Sequence, residues 1–190
     1  MKKIFALSVL FVFISSISLA ADPIADLTDL KSQLQSEKNN EIRFHLEARM
    51  AKIYSSIALT EAIAKEGESL AQNLLKLSET NKKNWDYGNA IHHANLVLGR
   101  VKLLHKDSAG AKRYLDLAAK TSGSPQLHSF GPNMTLAKEL LLKGERAAVL
   151  KYFDDCAKFW KSASAAKKIA DWKSAIAKNK VPAFRGNLLF

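Results

Sequence analysis

Apolar residues along this chain recur at three and four positions, the spacing that puts side chains on one face of an α-helix. Leu27, Leu30 and Leu34 predict a lead helix over about 24–37, ended by Lys38, Asn39 and Asn40. A longer helix is expected from 41 into the region of Ile63. Phe44, Ala48, Ala51 and Tyr54 lie along one side of it, with Leu46, Met50, Ile53 and Ile57 beside them. So wide a stripe suits a helix buried between neighbours. Gly67 marks a turn, and Leu70, Leu74, Leu75 and Leu77 set the next helix over 68–79. After a polar connection at 80–86, helices are expected over 87–106, 108–121, 133–143, 146–162 and 163–178. Asp107 is placed to cap one of them, and Pro132 suits the first turn of another. A loop is expected at 122–131, and Pro182 and Gly186 release the tail. No stretch alternates as a strand would, so the expected fold class is all-α.

One stretch recurs. Residues 95–120 and 133–158 align at an offset of 38, and nine of the 26 paired positions are identical, among them Asn95/Asn133, Leu98/Leu136, Tyr114/Tyr152 and Asp116/Asp154. Glu145 in the second copy stands where Asp107 stands in the first. Self-similarity at this spacing marks a helical repeat, an architecture that builds surfaces for holding other molecules.

With His92 as first position, Leu98 and Gly99, then Ala111, Leu115 and Ala118, fall where the tetratricopeptide repeat has its preferred residues. That repeat is a helical hairpin of about 34 residues. The second unit follows with Leu136, Ala137, Val149, Phe153 and Cys156. The chain thus resembles that family over about 92–125 and 130–163, and a weaker unit at about 51–83 rests on Ala71, Leu75 and Ser78. Asn95 stands in place of the family's first aromatic, and Gly123 in place of its terminal Pro. The resemblance implies antiparallel hairpins stacked as a short α-solenoid with a C-terminal capping helix. It also implies a groove lined by first-helix residues, here His93, Arg100 and Lys138. The run 123–134 is similar to a segment of small exported bacterial proteins of unknown function.

Residues 1–20 read as a secretory signal peptide. Lys2 and Lys3 precede an apolar core at 4–14, and small residues lead to an expected cut before Ala21. The core is shorter than the roughly 20 residues a membrane span needs. The expected destination is the periplasm, with 21–190 as one helical-repeat domain. Cys156 is the only cysteine, so no disulfide forms within the chain, and it falls on an apolar face as a small buried thiol. Net charge is +11, and +9 without Lys2 and Lys3. Between 146 and 190 ten basic residues meet three acidic ones. Such a surface favours anionic partners. For an exported protein these are envelope lipid or glycan rather than nucleic acid.

Motifs of chemistry are lacking. There is no GxSxG, Walker loop, GxGxxG or HExxH, and no cysteine or acidic cluster with metal-ligand spacing. His92 and His93 point about 100° apart on one helix and cannot share a metal in the usual way. Glu41 and His45 share a face, as a surface hydrogen bond would need. Arg100 and Lys138, in register, are candidates to grip a carboxylate or phosphate. His128 and Phe130 are candidates for a ligand contact in the 122–131 loop. Lys167, Lys168 and Lys173 surround an apolar face of Ala165, Ile169, Trp172 and Ile176, as on a helix resting on an anionic surface.

The expected function is an exported, non-catalytic helical-repeat module that binds a protein or peptide partner in the cell envelope, with no metal and no cofactor. The alternatives are a basic protein binding anionic envelope lipid or glycan, and an enzyme on a helical scaffold. A cleft gathering His45, His93 and an acidic residue would favour the enzyme.

Overall fold

The structure, a computed structural model, describes residues 22–189. The expected signal peptide at 1–20 lies outside them. The described residues are all-α, with no strand. They form α1 (Pro23–Ser36), α2 (Asn40–Tyr54), α3 (Glu61–Ser78), α4 (Tyr87–Leu104), α5 (Ser108–Ala118), α6 (Pro125–Phe130), α7 (Thr135–Leu142), α8 (Arg146–Cys156) and α9 (Ala165–Ala177), then a 3-10 turn at Arg185–Leu188. No helix among them is long and apolar enough to cross a membrane.

Helix starts are written in short polar side chains. Asp22, Asn39, Thr60, Asp107 and Ser124 each accept a bond from a backbone N–H of the first turn they precede. Asp107 takes Gly110 N–H at 2.8 Å, the cap expected of it. Glu145 makes no such bond; its carboxylate pairs instead with Lys112 at 2.8 Å, tying α8 to α5.

The repeat is visible in the backbone. The α4–α5 turn holds Lys106 at φ 64°, and the α7–α8 turn holds Gly144, 38 positions on, at φ 84°. In each, two N–H groups reach back to matching carbonyls. Asp107 N–H donates to Lys102 O at 2.8 Å and Glu145 N–H to Leu140 O at 3.0 Å. This closes a helix through one left-handed residue. Gly99 lets the hairpins approach: a Cβ there would stand 2.3 Å from Leu136 Cδ2 and 3.2 Å from Tyr114 Cβ.

Helix α4 is the shared wall. Leu96 faces a core built from α5, α7, α8 and α9, while Ala90, Ala94, Val97, Leu98 and Val101 face one built from α1, α2 and α3. Two-sided burial explains its apolar and small residues. Buried His92 staples the second hairpin to the first. Its Nδ1–H donates to Ala118 O at 2.9 Å, and its Nε2 accepts Asn133 N–H at 3.1 Å. Burial pushes its pKa down to about 4, so the ring is neutral. Cys156 is fully buried, as expected, and burial pushes its thiol pKa up.

Five local expectations are corrected. The long helix from 41 stops at Tyr54 rather than near Ile63. There Ser55 and Ser56 hydroxyls donate back to Lys52 O, and Arg100 takes the carbonyls of Tyr54 and Ile57. Gly67 lies inside α3, not at a turn; its missing side chain admits Tyr54 and Val97, each 3.2 Å from where a Cβ would be. The loop at 122–131 contains α6, which Ser124 caps and Pro125 opens. Pro132 precedes α7 instead of starting it, because Asn133 Oδ1 accepts Thr135 N–H at 2.8 Å. The tail is not released either. Phe184 is buried against Phe153 and Trp172. Asn187 Nδ2 donates to Phe130 O and Pro132 O, and Met134 N–H donates to Asn187 O.

Candidate functional site

Three helix faces converge on one pocket of about 240 Å³. From α2 come His45, Ala48, Arg49 and Lys52, spaced as one face of a helix. From the start of α4 come Asp86, Asn89 and His93, again one face. From α6 come Gln126, Leu127 and Phe130, with Gly131 beyond them.

His45 is held by two contacts. Its Nδ1 bonds Asp86 Oδ2, and its ring stacks on Trp85 with centroids 5.3 Å apart. Asp86 is 3 % exposed and its other oxygen accepts from Asn89 Nδ2 at 2.8 Å. Asn89 Oδ1 in turn accepts from Ser124 Oγ at 2.6 Å, and Gln126 Oε1 lies 3.1 Å from Asn89 Nδ2. With Nδ1 committed to the carboxylate, Nε2 is the ring nitrogen left for a ligand. Neutral, it accepts a proton; protonated, it donates.

The pocket's charge is positive. Lys52 has its pKa lowered, first by burial and then by the nearby Arg49 charge. Among the described residues no carboxylate pairs with Arg49. Among the described residues Asp86 is the only acid on the lining, and it already holds His45 and Asn89. Buried His93 bonds Ser55 Oγ at 3.1 Å, and desolvation, aided by His92 and Lys52, holds its pKa well below the usual value. His93 therefore adds a neutral polar edge. Ala48, Leu127 and Phe130 supply an apolar wall.

Of the residues singled out from sequence, His93 and Phe130 meet here, together with His45. His128 turns away: its Nε2 lies 3.2 Å from Ser122 O, and Gly123 packs beneath its ring. Arg100 does grip a carboxylate, but one of its own chain. It is 6 % exposed, and its Nε and Nη2 donate to Glu139 at 2.7–3.0 Å. Lys138 is half-buried on α7. In the basic third, Lys167 pairs with Asp171, Lys173 with Asp154, and Lys168 lies over the Trp160 ring at 5.3 Å. His45 bonds Asp86 rather than Glu41. Among the described residues no cluster of three or more His, Cys, Asp or Glu is arranged to hold a metal.

Sequence reasoning missed Asp86, Asn89, Arg49 and Lys52. Their signal was present as spacing: Asp86, Asn89 and His93 on one face, His45, Arg49 and Lys52 on another. Only the crossing of α2 and α4 turns two polar stripes into a site. Comparison with known protein families, curated proteins and solved structures found no match for this chain.

Proposed function

We propose that this chain is an exported helical-repeat module that binds a protein or peptide partner, and that the pocket between α2, α4 and α6 is where the partner inserts a side chain. The observation that carries the reading is the pocket's make-up: a positioned imidazole and two cations opposite an apolar wall. The matching α4–α5 and α7–α8 turns support a stacked-hairpin scaffold of the tetratricopeptide kind. The pocket's size supports a partner over a cofactor. Sites for drug-sized molecules run to about 300–1,000 Å³, whereas about 240 Å³ admits a side chain.

The test is photo-crosslinking in cells. A photo-reactive amino acid at Phe130 should capture an envelope partner, and the adduct should weaken at least tenfold when Arg49→Glu is added. The same group at Lys167, exposed on α9, should not give that adduct. No Phe130-specific, Arg49-dependent adduct would overturn the reading.

A second reading has its own observation. The pocket gathers His45, His93 and the acidic Asp86, and a carboxylate-held imidazole is a general base by construction. Turnover of acyl or phosphoryl ester probes that vanishes in His45→Ala would favour an enzyme. The alternative of a basic envelope-binding surface finds Lys167, Lys168 and Lys173 each already engaged within the chain.

A further inference from the structure

We propose that the cavity between α9 and the C-terminal tail is a second binding site, and that its ligand is a small aryl carboxylate. The cavity lies apart from the pocket between α2, α4 and α6 and does not depend on the function read for that pocket.

Two walls form it. Lys168, Asp171, Trp172 and Ala175 follow one another at three and four positions, so one face of α9 makes the first wall. The tail from Pro182 to Asn187 makes the second. That tail is fixed in place. Phe184 is buried against Phe153 and Trp172, and Asn187 binds the backbone of Phe130, Pro132 and Met134. The volume between the walls is about 430 Å³, inside the span of about 300–1,000 Å³ that small-molecule sites occupy.

Aromatic rings select the ligand's body. Trp172 and Phe184 meet edge to face with centroids 5.1 Å apart, and Trp160 stacks on Trp172 at 5.7 Å. A flat ring entering between the walls finds the offset and edge contacts that aromatic pairs favour.

Hydrogen-bond donors select its charge. Arg185 makes no side-chain hydrogen bond or ion pair among the described residues. Lys168 lies over the Trp160 ring at 5.3 Å, a contact that leaves its N–H groups unspent. Trp160 Nε1, in the same aromatic cluster, is buried with no acceptor. Asn187 spends its Nδ2 on two carbonyls. Among the described residues the one acid on the lining, Asp171, pairs with Lys167 at 2.8 Å. Acceptors must therefore come from the ligand. A carboxylate suits, because a guanidinium takes both its oxygens in two parallel bonds. The residue that supplies the guanidinium is itself unusual. Arg185 sits at φ 49°, in the left-handed region that a residue with a side chain enters only at a cost. Positions of that kind recur at ligand clamps.

The experiment is an NMR titration of the full mature chain, labelled to show indole N–H groups. Three probes are used: 2-naphthoate, the neutral 2-naphthamide, and cyclohexanecarboxylate, which keeps the charge and lacks the flat ring. 2-Naphthoate should shift the Trp160 and Trp172 indoles saturably and leave Trp85, in the other pocket, unmoved. It should bind at least tenfold more tightly than either other probe. Arg185→Gln alters an exposed side chain, so its ligand-free spectrum should match the parent's while its affinity for 2-naphthoate drops at least tenfold. Asp171→Asn, which removes the one acid, should tighten binding. Equal binding of the amide, equal binding of cyclohexanecarboxylate, shifts at Trp85 alone, unchanged affinity in Arg185→Gln, or weaker binding in Asp171→Asn would each overturn the proposal.

Discussion

At the scale of the residue, buried polar side chains tie separate helices together. His92 serves both hairpins through two ring nitrogens, and it can do so only as the neutral tautomer with hydrogen on Nδ1. Its folded pKa of about 4 lies below the ordinary 6.5. The unfolded chain therefore takes up a proton first as pH falls. The stabilisation is full above pH 6.5, shrinks as pH drops toward 4, and amounts to about 3 kcal/mol over that window. In urea denaturation His92→Gln should be less stable than the parent at pH 7, with the gap closing by pH 4.5. A gap that stays constant with pH would show that His92 is not the group responsible. Arg100 teaches a related lesson. Its pairing with a carboxylate follows from its chemistry, but Glu139 and the carbonyls of Tyr54 and Ile57 are its partners. Such a clamp fixes α4 against α7 and against the turn after α2.

At the scale of the element, helix identity follows periodicity, while helix ends follow caps and crossings. Asp107 was legible as a cap, while the caps at Asn39, Thr60 and Ser124 show only in the structure. The stop after Tyr54 was not legible, because Arg100, more than 40 residues away, binds the carbonyls there. Close approach is just as non-local. A Cβ on Gly88 would stand 1.9 Å from Gly123 O, a backbone atom with nowhere to go. Gly88→Ala should cost about 3 kcal/mol and separate the start of α4 from the segment leading into α6. Gly144, with nothing within 4 Å, tests backbone strain alone. Lys106 and Asn179 already occupy comparable left-handed positions, so Gly144→Asn should cost about 1 kcal/mol or less. Equal losses in thermal denaturation would refute the crowding argument at Gly88.

At the scale of the whole molecule, α4 and the tail integrate the parts. Two cores share α4, so damage on either side is felt at the pocket on its N-terminal turns. The tail holds the connection between α6 and α7 through Asn187 and buries Phe184. Removing 181–190 should cost about 5 kcal/mol, the sum of one buried aromatic and a few hydrogen bonds. It should also shift the resonances of Phe130 and Gly131, which line the pocket. A truncated chain with unchanged stability and pocket spectra would contradict this role.

What the sequence determined by itself is local: the helices, the cap at Asp107, the duplicated hairpin and the burial of Cys156. Each depends on residues within a few positions, where side-chain spacing and backbone hydrogen bonds are set by the chain's own geometry. The candidate site was half-legible. His93 and Phe130 stood out as residue types, but nothing in their neighbourhood named Asp86 as the partner of His45, 41 positions away. Tertiary structure alone decided that pairing, the enclosure of Arg100 and the convergence of two polar faces on the apolar wall of α6. The reason is physical. Helical periodicity says which face of a helix turns inward, whereas the side chain across the gap is chosen by the angle and distance at which packed helices cross.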